Sequence, residues 1–503
     1  MSGRGALRRL ALRALGQTPT VPVGRRARGA GLAEETVRGV LELAVRLGEA
    51  MLSLGAAAAD VTDTIRRVGR AFGLECQVDL TFTAILVSHD QGPGAPPVTV
   101  LRVVESRGAD YGRLTRVLRL ADTVMGGGAL TEPGVVHEVD ATGSPESTAR
   151  RIEAAHDLLD VIVTAPHPYR RSLVTLVLAA MAASVAVLLG GGPLVALVAG
   201  GTTAAIDVIV WHLGRWGLPP FFLQAAGAAV ATTVAVLLLV LIPILPVDQS
   251  MLPPSLVVAS GIVVLLAGLS LVGAAEDAIN GFPVTASARV FEVLLLTLGI
   301  VVGIGAVLDA ARRFGVTLEL VDRPVSPWPL AVQVLAAAAV AGAWALASYA
   351  RPRAALLAAA VGGSSWLLFN ALGSLGVGPA VASAGAALAI GFVGEALSSR
   401  LRVPAIVTSV CGIVPLLPGL AIYRGLFNLV DDGGIGRGSE ILLQAAMVGL
   451  GLAAGVTLGE LLARRLGAGP GRPLLPAHVR DMRLPPRRGT ARSEAAADPG
   501  RVA

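Results

Sequence analysis

The residues best placed to do chemistry in this chain are acids set inside apolar runs. Asp207 lies in TTAAIDVIVW, with Val-Ile-Val-Trp between it and the next polar position. A carboxylate in hydrocarbon is costly, so such a residue defaults to an ion path, a proton relay or a substrate contact. Glu292 is set in a similar run. Glu395 and Glu460 fall near the ends of theirs, where the simpler reading is an interfacial carboxylate in water. The most polar insertion between two apolar runs is Glu276-Asp277-Ala278-Ile279-Asn280-Gly281-Phe282-Pro283. Asp277 and Asn280 are three apart and share a helix face, a spacing suited to holding an ammonium group or passing a proton. Asn280-Gly281 equally signals an ordinary turn.

Other chemistry finds no support. The six histidines show no metal-ligand spacing and no Cys pair accompanies them, which points away from a metal site or cofactor. There is no Lys in the chain and no GxxxxGK[ST] loop, which argues against ATP-driven work by this polypeptide alone. Ser88-His89-Asp90 has hydrolase residue types, but neighbours on a strand end cannot form a triad. The expectation is therefore a protein that is not an enzyme.

The elements that hold these acids are mostly membrane spans. Hydrophobic residues make up 54% of 503 positions and charged ones 15%, and the excess is concentrated after Tyr169. Beyond that point come apolar runs of roughly 20 residues, the length that crosses a hydrocarbon core. Ten spans are expected: 172–190, 193–211, 220–244, 255–275, 287–309, 329–349, 354–372, 379–397, 404–423 and 439–462. Arg170, Arg171, Arg215, Arg289, Arg351, Arg353, Arg400, Arg402, Arg464 and Arg465 flank one side, and Arg312, Arg313, Arg323, Arg424 and Arg437 the other. That bias places both termini in the cytoplasm. All 41 basic residues are Arg, in span flanks and tails without interleaved aromatics, so the charge points to the lipid surface and away from nucleic acid.

Before the spans, residues 34–168 read as a cytoplasmic α+β domain. Val37, Val40, Leu41, Ala44, Leu47 and Met51 form a helical stripe ended by Gly55. A second helix is expected at 61–72 with Asp60 as its N-cap. Cys76–Val87 and Val98–Val104 read as two paired strands, followed by helices near 110–125 and 146–160. Cys76 and Cys411 are expected as free thiols. The Arg-rich segment 1–33 and the tail 467–503 are expected to be disordered, and 1–33 lacks the apolar stretch of a secretion signal.

The membrane region repeats itself. Gly200-Gly201-Thr202-Thr203 in span two matches Gly362-Gly363-Ser364-Ser365 in span seven. Leu266-Ala267-Gly268-Leu269, Asp277 and Arg289 match Leu417-Pro418-Gly419-Leu420, Asn428 and Glu440 at one constant offset. Asn370 lies one residue out of register with the counterpart of Asp207. Five spans in each half, 170–325 and 326–466, force the second copy to enter from the opposite side, giving an inverted repeat. Such transporters bind substrate near the midplane where helices are broken, which makes Gly268, Pro415, Pro418 and Gly419 candidates. The Gly-Gly-Thr-Thr and Gly-Gly-Ser-Ser rows read first as close-packing surfaces.

These motifs carry a resemblance. LAVRLGEAMLSLGAAAADVTDTIRRVGRAFGL with VDLTFTAILV, LLAGLSLVGAAEDAINGFPVTASARVFEVLLLTLGIVVG, and PLLPGLAIYRGLFNLV with LGLAAGVTLGE make the chain similar to the bacterial threonine/serine exporter family over about 34–465. The resemblance implies a cytoplasmic domain before ten helices, and export of threonine and serine driven by the proton motive force. It points to Gly268, Asp277, Gly281, Arg289, Pro418 and Gly419. The chain departs from the family pattern in two places: Ala267, where Pro usually precedes Gly, and Ala57–Ala59. The expectation is thus a proton-coupled exporter in the cytoplasmic membrane, with Asp207, Asp277 or Glu292 carrying the proton and Glu276, Asn280 and Asn370 near the path. Competing readings are a ligand-gated channel or receptor, and a membrane-anchored hydrolase. Oligomeric state stays open, a homo-oligomer included.

Overall fold

Val37, Val40, Leu41, Ala44, Leu47 and Met51 are all buried on α1 (Glu34–Ser53), the face that the periodicity predicts. Gly55 ends it with φ +97°, a conformation that favours glycine. The computed structural model describes residues 33–92, 95–105, 107–126, 130–132, 135–137, 145–241, 253–262, 265, 268–316, 326–401, 403–430 and 435–466. The expected tails, apart from Ala33, lie outside these residues, as do Ala267, Arg323 and Arg402.

Helix α2 spans Ala58–Ala71 and starts before the expected position; its N-cap is Ala57, which offers no side-chain bond. Asp60 sits in the first turn instead, where a carboxylate still favours the helix dipole. The free N–H of Ala58 is taken by Asp277 Oδ1 at 3.3 Å, so the cap comes from the membrane region.

The run 76–87 contains two strands where one was expected: β1 (Cys76–Leu80) and β2 (Ala84–His89). Thr81 makes the turn, its N–H on Ala84 O at 2.9 Å and its Oγ1 accepting from Ala84 N at 3.1 Å. β3 (Val98–Val103) pairs antiparallel with β2, giving the order β1-β2-β3. Ser88 bonds Thr99 and His89 bonds Glu75 O, so these two side chains serve the sheet and do not meet. Helix α3 (Tyr111–Gly126), a short hairpin β4 (Leu130–Glu132) and β5 (Val135–His137), and α4 (Pro145–Thr164) follow. Both cysteines are free.

The chain is a multi-pass membrane protein. Among the described residues eight helices are long and apolar enough to cross a bilayer: α5 (Arg171–Leu188), α6 (Pro193–Arg215), α7 (Pro220–Leu241), α10 (Pro283–Arg313), α11 (Leu330–Ala347), α12 (Pro352–Ser374), α13 (Pro379–Leu401) and α16 (Ile435–Arg465). The expected fourth span is two short helices, α8 (Pro254–Ile262) and α9 (Gly268–Ile279). The expected ninth is α14 (Ala405–Ile413), a 3₁₀ turn Val414–Leu416 and α15 (Gly419–Val430), bent by 51°. Pro415 and Pro418 lack the N–H that a continuous helix would need, which is the physical reason for that break.

The two halves are packed by matching contacts. Thr203 on α6 donates to Gly261 O at the end of α8, and Ser365 on α12 donates to Gly412 O at the end of α14. Gly299 on α10 lies against Phe221 O of α7, and Gly451 on α16 against Ala380 O of α13; a Cβ would come within 2.6 and 2.7 Å of these carbonyls. Gly303 faces Ala225 O and Gly455 faces Ala384 O in the same way. After each break the chain changes partners. α15 buries Tyr423, Leu426 and Phe427 in the core of the first half, while Val272 of α9 joins that of the second. The α+β core itself continues into the helices, where Leu47 and Ile65 share a cluster with Ala345, Ala355, Val407 and Cys411.

Candidate functional site

The two broken helices face each other across a cavity. Gly268, the first residue of α9, looks onto the Leu417 side chain, which a Cβ would meet at 3.5 Å. Around this point lies a cavity of about 700 Å³, ample for a small organic ligand. Gly268, Pro415, Pro418 and Gly419 line it, as do Trp344, Trp366 and Phe369. Leu52, Gly55, Ala57 and Arg107 line it from the α+β region.

The charges of the cavity fall into two sets. Arg289 and Asp277 neutralise each other, Nη1 to Oδ2 at 3.2 Å, with Asp277 fully buried. Gly273 makes this possible, because a Cβ there would stand 2.5 Å from Arg289 Nη1. The remaining charged residues of the lining are Glu276, Glu292 and Arg107. No described residue makes a hydrogen bond or ion pair with either glutamate, although Arg289 lies close enough to influence Glu276 and Arg107 close enough to interact with Glu292. Arg107 stands over the Phe82 ring at 3.9 Å, and neither of its buried Nη atoms has a hydrogen-bond partner among the described residues. Burial above all, then the like charge of Arg289, pulls its guanidinium down to about 10.

A second acidic group stands behind Glu276. Ser409, a cavity residue, donates to Glu460 Oε1 at 3.2 Å. Arg464 bridges Glu460 at 3.3 Å and Glu395 at 3.0 Å. Glu395 is fully buried, and its second oxygen has no hydrogen-bond partner among the described residues. The expectation of interfacial carboxylates in water is corrected here: Arg464, one turn beyond Glu460 on α16, turns both acids inward.

The structure brings only part of the expected set together. Gly268, Glu276, Arg289, Glu292, Pro415, Pro418 and Gly419 line the cavity, and Asp277 is held at its edge by Arg289. Asp207 is elsewhere: Arg171 binds it at 2.5 Å and Thr175 donates to it at 2.6 Å. Asn370 donates to Trp366 O within its own helix. Asn280 and Gly281 form the turn between α9 and α10, with Gly281 at φ +87° and Phe282 N bonded to Asp277 O, so they close a helix as a turn signal should. Sequence reasoning missed Arg107, Gln224, Trp344 and Ser409. Arg107 reads as an ordinary loop arginine, and the others are single polar groups in apolar runs, where Gln224 was the one visible signal.

The family described as "Putative threonine/serine exporter" matches residues 42–135 and 144–311, and "Threonine/Serine exporter, ThrE" matches 333–462. A "Probable threonine/serine exporter" of Mycobacterium tuberculosis (strain ATCC 25618 / H37Rv) is 39% identical over 92% of this chain and 84% of its own length. A "Threonine/serine exporter" of Corynebacterium glutamicum is 36% identical over 86% of this chain and 83% of its own. No solved structure matches. Two family models covering most of the chain, and relatives matched along more than four fifths of their length, place this membrane transporter in the threonine/serine exporter family.

Proposed function

We propose that the chain exports threonine and serine across the bacterial cytoplasmic membrane, exchanging them for protons through the cavity between the two broken helices. The observation that carries this reading is the cavity itself: an apolar chamber, set where both helices are interrupted, whose Glu276 and Glu292 make no ion pair among the described residues. A membrane-embedded site of this kind suits a small zwitterion, whose ammonium needs a carboxylate and whose aliphatic part needs apolar walls. The matched contacts of Thr203 and Ser365, and of Gly303 and Gly455, support a ten-span inverted repeat of five plus five with cytoplasmic termini. The α+β domain then lies in the cytoplasm, over the entrance.

Among the acids, Asp207 is already bound to Arg171 and Asp277 to Arg289. Glu276 and Glu292 make no hydrogen bond or ion pair among the described residues and face the cavity, so the proton rides on the cavity glutamates, with Glu276 placed to exchange it for the substrate ammonium. The test is dipeptide feeding. Cells loaded with threonine from a peptide extrude it faster with the protein than without, a protonophore abolishes the difference, and Glu276→Gln removes its pH dependence. Extrusion indifferent to the protonophore would refute proton exchange, and extrusion no faster than in empty cells would refute export.

A further inference from the structure

Resting on that reading, we infer that Arg107, contributed by the α+β domain, binds the carboxylate of the transported amino acid, so that this domain completes the substrate site. Two cations line the cavity, Arg289 and Arg107. Arg289 is occupied by Asp277 at 3.2 Å. Arg107 has no acceptor for either Nη atom among the described residues, and both atoms are buried. A desolvated guanidinium with neither a hydrogen bond nor a contact ion pair among the described residues is a costly arrangement, and the Phe82 ring beneath it at 3.9 Å compensates only in part. The planar fork of five N–H donors fits one ligand group best, a carboxylate held by two parallel bonds.

The other poles of the cavity specify the rest of the ligand. Glu276 supplies the negative charge that an α-ammonium needs. Gln224 Oε1, on a residue of the lining, is a buried acceptor without a donor among the described residues. A ligand hydroxyl can serve it, since a hydroxyl donates. The ligand class is therefore a small zwitterion with a hydroxyl group. Arg107 is followed by Gly108, whose N–H is fixed to Ser53 O at the end of α1, so the loop that carries the guanidinium moves with the domain. Displacing the domain would withdraw the carboxylate partner and open the cavity in one motion.

The experiment measures binding to the full-length protein in lipid nanodiscs with three probes: L-threonine, L-threoninamide, which lacks the carboxylate, and N-acetyl-L-threonine, which lacks the ammonium. Wild type is expected to bind threonine at least about tenfold more tightly than the amide. Arg107→Ala is expected to weaken threonine to the level of the amide while leaving the amide unchanged, and Arg107→Lys to recover part of the loss. Wild type that binds threonine and its amide equally overturns the assignment without any variant. So does Arg107→Ala that keeps wild-type affinity for threonine, or loses threonine and amide alike, and in both cases export stands. Wild type that binds none of the three overturns the export reading and the assignment together.

Discussion

Replacing Asp277 by Ala tests how the α+β domain is fastened to the membrane helices. The Asp277 side chain is 1% exposed and that of Arg289 is 16% exposed. Removing one partner of such a pair leaves a buried charge uncompensated, at a cost of ~3–5 kcal/mol. The same change deletes the acceptor for Ala58 N–H, worth ~1 kcal/mol as a helix cap. With ~1.4 kcal/mol per factor of ten, even the lower figure raises the local opening of the α2 N-terminus by roughly 100-fold. Hydrogen exchange on the protein in nanodiscs reads this directly in peptides spanning residues 56–62. Asp277→Asn keeps an acceptor for Ala58 and should fall between the two. Exchange in Asp277→Ala within roughly threefold of wild type would show that the pair does not hold the junction, and would refute the reasoning.

The glycine contacts make a paired prediction: Gly303→Val and Gly455→Val each drive side-chain atoms into a carbonyl of the neighbouring helix, Ala225 O or Ala384 O. Each is expected to cost at least ~1–3 kcal/mol, seen as a similar loss of monodisperse protein in fluorescence-detected gel filtration. His156 is held below its ordinary value by burial first and the Arg46 charge second. Its folded state therefore favours the neutral ring, so this contribution is present above about pH 6.5 and is lost as pH falls through the lower folded value. Thermal unfolding of wild type should drop more between pH 7 and 5 than that of His156→Gln, and parallel profiles would contradict the assignment. Burial pushes the Cys76 thiol up to about 11 from 9.0, against the weaker pull of Arg70 and Arg66. At pH 8 this leaves about one hundredth of the ordinary thiolate, so iodoacetamide should alkylate Cys76 about 100-fold more slowly than an exposed thiol.

How far the chain could be read without coordinates depended on the range of each interaction. The stripe on α1, the apolar runs after Tyr169 and the breaks marked by Pro415, Pro418 and Gly419 are local: one helix period or one missing N–H states them. Gly-Gly-Thr-Thr and Gly-Gly-Ser-Ser recur in the sequence, and the structure gives Thr203 and Ser365 similar hydrogen bonds to carbonyls at helix ends. Thr81 was missed as a turn because a β-branched run looks the same straight or folded.

Charges were legible as residues and not as partners. Asp207 and Glu276 stand alike in the sequence, each an acid near apolar neighbours. Packing gives Asp207 to Arg171 and Thr175 and leaves Glu276 open to the cavity. Glu395 looked like a water-facing end until α16 brought Arg464 against it. Arg107 lies far along the chain from the helices whose cavity it lines. Composition and local pattern thus determined that this is a multi-pass membrane protein with interrupted helices. Which acids are neutralised, and which remain free for a ligand, was decided by long-range packing, because an ion pair depends on distances of a few ångströms between segments that the chain order does not bring together.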